Sequence, residues 1–211
     1  MTRRFTLAAL LLLAACGSDY QPKLAPAEVQ APAAPGTTAT AVFAGGCFWC
    51  TEADFEKLPG VTGAMSGYTG GRSADPTYEQ VSAGGTGHYE AVRVSYDPSR
   101  VSYQQLADYY FRTVDPTDGE GQFCDKGESY RTAIFYADND QRKIADREKA
   151  EASRTLGQAV ATAILPAKAF YEAEGYHQDY YKKNSLKYSF YRSRCGRDQR
   201  LAELWGAKAK A

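Results

Sequence analysis

Two cysteines with C-x-x-C spacing, Cys47 and Cys50, stand in the octapeptide Gly45-Gly46-Cys47-Phe48-Trp49-Cys50-Thr51-Glu52. A mostly apolar run, Ala39 to Ala44, leads into it, and Thr51 to Lys57 read as helix. Cys47 therefore belongs where a strand turns into a helix N-terminus. Unpaired N–H groups and the helix dipole at that place favour a thiolate and lower the thiol pKa. The glycine pair lets the backbone turn tightly. Phe48 and Trp49 beside a thiolate would form a small apolar wall for a substrate. The same residues also fit two core rings around a buried, inert thiol, so the rest of the chain has to decide.

Five cysteines are present, Cys16, Cys47, Cys50, Cys124 and Cys195, with two histidines, His88 and His177. C-x-x-C spacing suits zinc, but there is no second such pair and no paired histidines, which argues against a structural zinc. It also suits a thioredoxin-like redox pair, yet the local sequence is not Cys-Gly-Pro-Cys. A Cys–His–Asn protease finds no clear nucleophile–base pairing in the glycine-rich loops. Glu90 lies in the alternating run His88–Tyr96, on one face with Val92, Val94 and Tyr96. A carboxyl between Tyr89 and Ala91 in a glycine-bounded segment is a poor surface choice. His88 and His177 read as structural hydrogen-bonders, and Glu52 as a first-turn residue favoured by the helix dipole.

These residues need elements to hold them. Strands are expected over 39–44, 61–68, 88–96 and 131–136, with a further strand-like run over 158–165. Helices are expected over 48–57, after the Ser102/Gln105 capping box, and over 138–156 up to Gly157. Two long loops, 69–87 and 114–129, are dense in glycine, and loops of that length are usually functional. From Ala39 to Tyr136 the order is β-α-β-β-α-β, the split pattern of ferredoxin-like sheets. The expected fold is α+β, a two-layer sandwich with a ferredoxin-like core. An irregular C-terminal extension, 166–211, would wrap it and carry Cys195.

The chain of 211 residues has room for one domain, 39–211, plus an extension. Its 25 basic residues balance 25 acidic ones, so no basic patch points to nucleic acid. Residues 1–15 read as a secretory signal, with Arg3 and Arg4 ahead of an apolar core too short to span a membrane. That core ends in Leu13-Ala14-Ala15-Cys16, which resembles the bacterial lipobox and implies that Cys16 becomes lipidated. Residues 16–38 read as the anchor and an Ala/Pro-rich tether. The expected place is the bacterial cell envelope, facing the periplasm. Gly17, where Asp would signal inner-membrane retention, points to the outer membrane.

Several motifs in order then carry a family resemblance. Gly45-Gly46-Cys47-Phe48-Trp49 resembles the active-site signature of A-type peptide-methionine sulfoxide reductases. Pro76-Thr77-Tyr78, Gly84 to Val92, Asp115-Pro116-Thr117, Asp125 to Ile134 and Tyr176-His177-Gln178-Asp179-Tyr180 are similar to its later motifs. The resemblance implies thiol-dependent reduction of the S-epimer of methionine sulfoxide, free or in proteins, by a monomer with no metal and no bound cofactor. It implies Cys47 as nucleophile, passing to a sulfenic acid, and Glu90 as general acid. Tyr78 and Tyr130 would donate hydrogen bonds to the sulfoxide oxygen. Phe48 and Trp49 would cradle the ε-methyl, and Asp125 would bind substrate or its waters. A resolving cysteine then forms a disulfide, which an external thioredoxin-like reductant opens. The resemblance puts Cys195 first for that role; Cys50, where the family commonly has Gly, is second and Cys124 third. Two other classes stay open: a general thiol–disulfide oxidoreductase using Cys47 and Cys50, and a non-catalytic peptide-binding lipoprotein.

Overall fold

The structure, a computed structural model, describes residues 36–206 and residue 209. The expected signal, the anchor Cys16 and the tether up to residue 35 lie outside the described residues. The elements run β1 (Ala39–Gly45), α1 (Phe48–Phe55), β2 (Val61–Thr69), α2 (Tyr78–Ser82), β3 (Tyr89–Tyr96) and α3 (Tyr103–Arg112). They continue with β4 (Gly121–Gln122), β5 (Asp125–Lys126), a 3-10 turn (Glu128–Tyr130), β6 (Thr132–Tyr136) and α4 (Asn139–Leu156). Last come β7 (Ala163–Pro166), β8 (Tyr171–Glu172), α5 (Tyr180–Lys183), α6 (Ser185–Arg194) and α7 (Arg197–Trp205).

Six strands form one mixed sheet in the order β7-β6-β1-β3-β2-β8, antiparallel except where β7 runs parallel to β6. The fold is α+β with this sheet at its centre. Alternation sorts the side chains. Ala41, Phe43, Val92, Val94 and Ile134 face the layer of α1, α3 and α4, where Phe43 stacks on Phe55, Tyr103 and Tyr110. Ala44, Tyr89, Ala91, Ala133 and Phe135 face the other way, against Ala163, Leu165 and Phe170. Burial of each large core side chain contributes about 1.5–3 kcal/mol. Glu90 alternates with Tyr89 and Ala91, so it points to the helical face, under the start of α1.

The helix ends follow local chemistry. Ser102 and Gln105 form the expected capping box, with the Ser102 N–H 2.9 Å from Gln105 Oε1. The Asp138 side chain accepts from the Asp140 and Gln141 N–H groups, and α4 stops at Gly157 in the left-handed region.

Four expectations change. The loop 69–87 contains α2, started by a second capping box from Thr77 and Gln80. The loop 114–129 contains the β4–β5 hairpin. The C-terminal extension is not irregular: three helices fill 180–205. Its helices bury unusual residues, which hid their periodicity. In α6 the buried residues are Tyr188 and Arg192, while Leu186 is 86% and Phe190 69% exposed. The strand-like run 158–165 contracts to β7.

Candidate active site

Cys47 is the last residue before α1, as the spacing predicts, at φ −49° and ψ 118°. Gly46 makes the turn at φ +78°, and a Cβ there would stand 2.5 Å from Gln122 Cβ. The Cys47 carbonyl accepts from the N–H groups of Cys50 (3.1 Å) and Thr51 (3.2 Å), which closes the first turn and leaves the side chain free of capping.

Glu90 lies directly beneath. It is 3% exposed, and its Oε2 accepts the Phe48 N–H at 3.0 Å. Burial pushes its carboxyl up to about 8, against the hydrogen bonds from Phe48 and Tyr130. A carboxylic acid is thus held neutral at pH 7 next to a cysteine sulfur. Tyr130 bonds Glu90, and Tyr78 bonds Tyr130, so the two phenols and the acid form one chain of donors. Burial raises both phenols, which keeps them protonated. Tyr78 is placed by its N–H, which donates to Glu174 Oε1 at 2.8 Å; Glu174 Oε2 accepts from the Tyr68 hydroxyl at 2.8 Å.

The apolar wall is also assembled. The Phe48 ring packs on Tyr68 and on His177. Trp49 stacks face to face on Tyr180 with ring centroids 3.7 Å apart, and its Nε1–H donates to His177 Nδ1 at 3.0 Å. That bond puts the His177 proton on Nε2, and burial lowers the ring's pKa, so His177 is a neutral support. His88 likewise bridges Gly71 and Ser73. Asp125 is tied to the protein: Tyr191 donates to its Oδ2 and also hydrogen-bonds Cys47. Trp49, Tyr78, Tyr130, Asp125 and Tyr191 are half-buried and ring the buried Cys47, Phe48 and Glu90.

The thiols differ from expectation. Burial, Cys50 and Glu90 raise the Cys47 thiol, and these outweigh the helix N-terminus. Cys50 is hydrogen-bonded to Cys47 and is pulled down to about 7, first by that bond and then by Arg197 and Arg192. The two thiols therefore share a proton through one hydrogen bond, with the arginines favouring charge on the Cys50 side. Cys195 is not a free thiol here: it is bonded to Cys124, with the two Cα atoms 4.8 Å apart. Cys124, Asp125 and Cys195 are grouped closely enough for a metal, but neither sulfur of a disulfide is a thiolate ligand. Glu52, Glu56 and Asp179 form a second acidic group, occupied by protein partners. Glu52 accepts from the Ser66 hydroxyl (2.6 Å) and the Asp179 N–H (2.8 Å), and Lys182 pairs with Glu56 at 2.5 Å. Glu52 is thus a buried tie between α1, β2 and the C-terminal segment rather than a first-turn residue.

Sequence reasoning missed Tyr191, Tyr188, Arg192, Arg197 and Asp54. The first four lie in the extension read as irregular. Asp54 stands one turn beyond Cys50 on α1, a spacing that marks a shared helix face but names no partner.

The sequence profile of the peptide methionine sulfoxide reductase family matches residues 39–209. The chain is 54% identical over 181 residues to peptide methionine sulfoxide reductase MsrA 2 of Caulobacter vibrioides, covering 85% of this chain and 91% of the relative. Its fold is similar to reduced Mxr1 from Saccharomyces cerevisiae, with a TM-score of 0.68 at 34% identity, over 72% of this chain and 88% of that one. It is similar too to Mxr1 in complex with Trx2, with a TM-score of 0.50 at 26% identity, over 70% of this chain and 87% of that one.

Proposed function

The chain belongs to the peptide methionine sulfoxide reductase family, and we propose a residue-by-residue course for the reaction. The enzyme reduces methionine sulfoxide to methionine with thiols, through a sulfenic acid and an intramolecular disulfide, and carries no bound cofactor. Cys47 is the nucleophile. Its proton passes to its hydrogen-bonded neighbour Cys50, and the freed thiolate attacks the sulfoxide sulfur. Glu90 gives its proton to the sulfoxide oxygen while Tyr78 and Tyr130 donate to it. Collapse transfers the oxygen to Cys47, so one sulfoxide and one thiol become one thioether and one sulfenic acid. Phe48 and Trp49 hold the methyl group; Asp125, through Tyr191, fixes the rim.

The observation that carries this reading is the 3.0 Å bond from the Phe48 N–H to Glu90. It sets a neutral acid beside the Cys47 sulfur. A general disulfide exchanger needs no such acid, and a peptide-binding lipoprotein needs no thiol.

Resolution falls to Cys50. It is buried against Cys47 and favours the thiolate, whereas Cys195 and Cys124 already share a bond. An external thioredoxin-like protein then supplies two electrons and two protons to the new disulfide. The yeast relative's complex with Trx2 supports that partner.

The substrate is the S-epimer, free or in proteins. The four-strand core order β6-β1-β3-β2 with antiparallel neighbours supports a ferredoxin-like description. The lipobox-like Leu13-Ala14-Ala15-Cys16 supports a lipoprotein that acts as a monomer in this reading and repairs envelope proteins from the periplasmic side of the outer membrane. Turnover of the two epimers with a dithiol tests the activity. S-epimer reduction with no R-epimer turnover is expected, and equal turnover of both contradicts it. Incorporation of labelled fatty acid that is lost in Cys16→Ser tests the anchor.

A further inference from the structure

Cys50 is 2% exposed. The groups that act on it come from every side: Cys47 and Asp54 at either end of its helix, Glu90 of β3, Tyr188 and Arg192 of α6, and Arg197 of α7. Arg192 donates to Asp54 Oδ2 (3.1 Å), to Asp198 (2.8 Å) and to the Tyr188 hydroxyl (2.9 Å). Arg197 donates to the carbonyls of Gly45 (3.2 and 3.3 Å) and Thr113 (2.8 Å). Its Nε lies 3.7 Å from Asp54 and has no hydrogen-bond partner among the described residues.

Two arginines and two carboxylates meet beside the thiols, at different depths. Asp54 and Arg197 have side chains 2% exposed and Arg192 8%, while Asp198 is 56% exposed. Arg192 is thus paired with Asp54 and with the half-exposed Asp198, while Arg197 has Asp54, at 3.7 Å, for a carboxylate. Tyr188, which accepts from Arg192 at 2.9 Å, packs in one cluster with Cys47 and Cys50. An anion formed beside buried guanidiniums is stabilised. Among the groups facing the pair, Glu90 is held neutral and burial raises Tyr188 and Cys47. That leaves Cys50.

We propose that Arg192 and Arg197 are positioning residues that hold the Cys50 thiolate and so set the rate of the resolving step. The proposal rests on Cys50 being the resolving thiol. In that step Cys50 passes the proton it took from Cys47 to the Glu90 carboxylate, and its thiolate attacks the sulfenic sulfur of Cys47; the S–S bond forms and the S–O bond breaks. Hydroxide leaves and takes a proton from solvent as water. The hydrogen bond from Cys47 changes once Cys47 carries oxygen, but the arginines stay. They flank Cys195 and Gly196 at the α6–α7 corner, and the bond to Cys124 pins that corner to the β4–β5 hairpin.

The test uses full-length enzyme with the Cys124–Cys195 disulfide intact. Ultraviolet thiolate absorbance is titrated against pH, with Cys50→Ser as the blank, and the rate of disulfide formation after one turnover is followed in parallel. Arg192→Gln moves the thiolate midpoint to higher pH and slows disulfide formation at pH 7 by roughly tenfold, since the thiolate is the attacking form. Asp54→Asn moves the midpoint the opposite way, and Arg192→Lys stays near the wild type. A merely structural role would move Arg192→Gln and Asp54→Asn in the same direction or not at all, and either result overturns the proposal. If Arg192→Gln does not fold, Asp54→Asn decides: a lower midpoint supports the proposal, an unchanged or higher one overturns it. Peptide mapping keeps the underlying reading separate. A Cys47–Cys195 link in wild type removes Cys50 as resolver, whatever the titration shows.

Discussion

At the scale of single residues, the Glu90 proton does most to distinguish this site. Replacing Glu90 with Gln keeps a donor but removes the transferable proton, so methionine formation in a single turnover slows by about 10²–10⁴-fold. The pH dependence follows from the acid form. With the carboxyl near 8, the chemical step falls as pH rises through about 8, and Glu90→Gln flattens that limb. Stability moves in the same direction. A carboxyl held above its unfolded value binds its proton more tightly when folded, so its contribution is fully present at acid pH and declines as pH rises toward 8. A urea midpoint that rises between pH 5 and pH 8 because of Glu90 contradicts this. The residue roles were partly legible in the sequence. The octapeptide predicted the strand-to-helix turn at Cys47, and the alternation of 88–96 put Glu90 with Val92 and Val94. The lowered pKa expected of Cys47 is opposed by its burial. The helix N-terminus was weighed, but burial and the Arg192 and Arg197 charges on Cys50 depend on residues more than a hundred positions away.

At the scale of elements, the β1–α1 junction is the part on which the chemistry depends. Gly46 sits at φ +78° with Gln122 pressed against it. Gly46→Ala forces both a left-handed alanine and a clash, and costs about 1–3 kcal/mol. Chemical denaturation reads this as a lower midpoint, and the displaced Cys47 lowers the single-turnover rate as well. The strands and the long helices were legible because their caps and periods are local: Ser102 with Gln105, Asp138 before α4, Gly157 after it. The extension was not, because α6 buries Arg192 and Tyr188 and shows Leu186 and Phe190 to solvent. A periodicity search reads such a helix inside out. Its inward face is chosen for the partners it meets on α1 and β5, namely Asp54, Cys47 and Asp125.

At the scale of the whole molecule, the C-terminal helices are tied to the rest by charge and by covalency. The Cys124–Cys195 disulfide closes a stretch of 71 residues, and a cross-link of that span contributes about 2–4 kcal/mol by restricting the unfolded chain. Cys124→Ser therefore lowers the unfolding free energy, read from urea denaturation, by about 2–4 kcal/mol while one turnover still yields one methionine. Unchanged stability, or a lost first turnover, contradicts the assignment of this bond as a tie outside the reduction step. Arg197 adds a second tie, since its guanidinium joins the Gly45 and Thr113 carbonyls across three elements.

The central claim is tested most directly by giving the reduced-at-47-and-50 enzyme one equivalent of methionine S-sulfoxide without reductant, then mapping its disulfides by mass spectrometry. One methionine per enzyme, a new Cys47–Cys50 link and an intact Cys124–Cys195 link are expected. A Cys47–Cys195 link, or methionine formed with Cys47 unmodified, contradicts it.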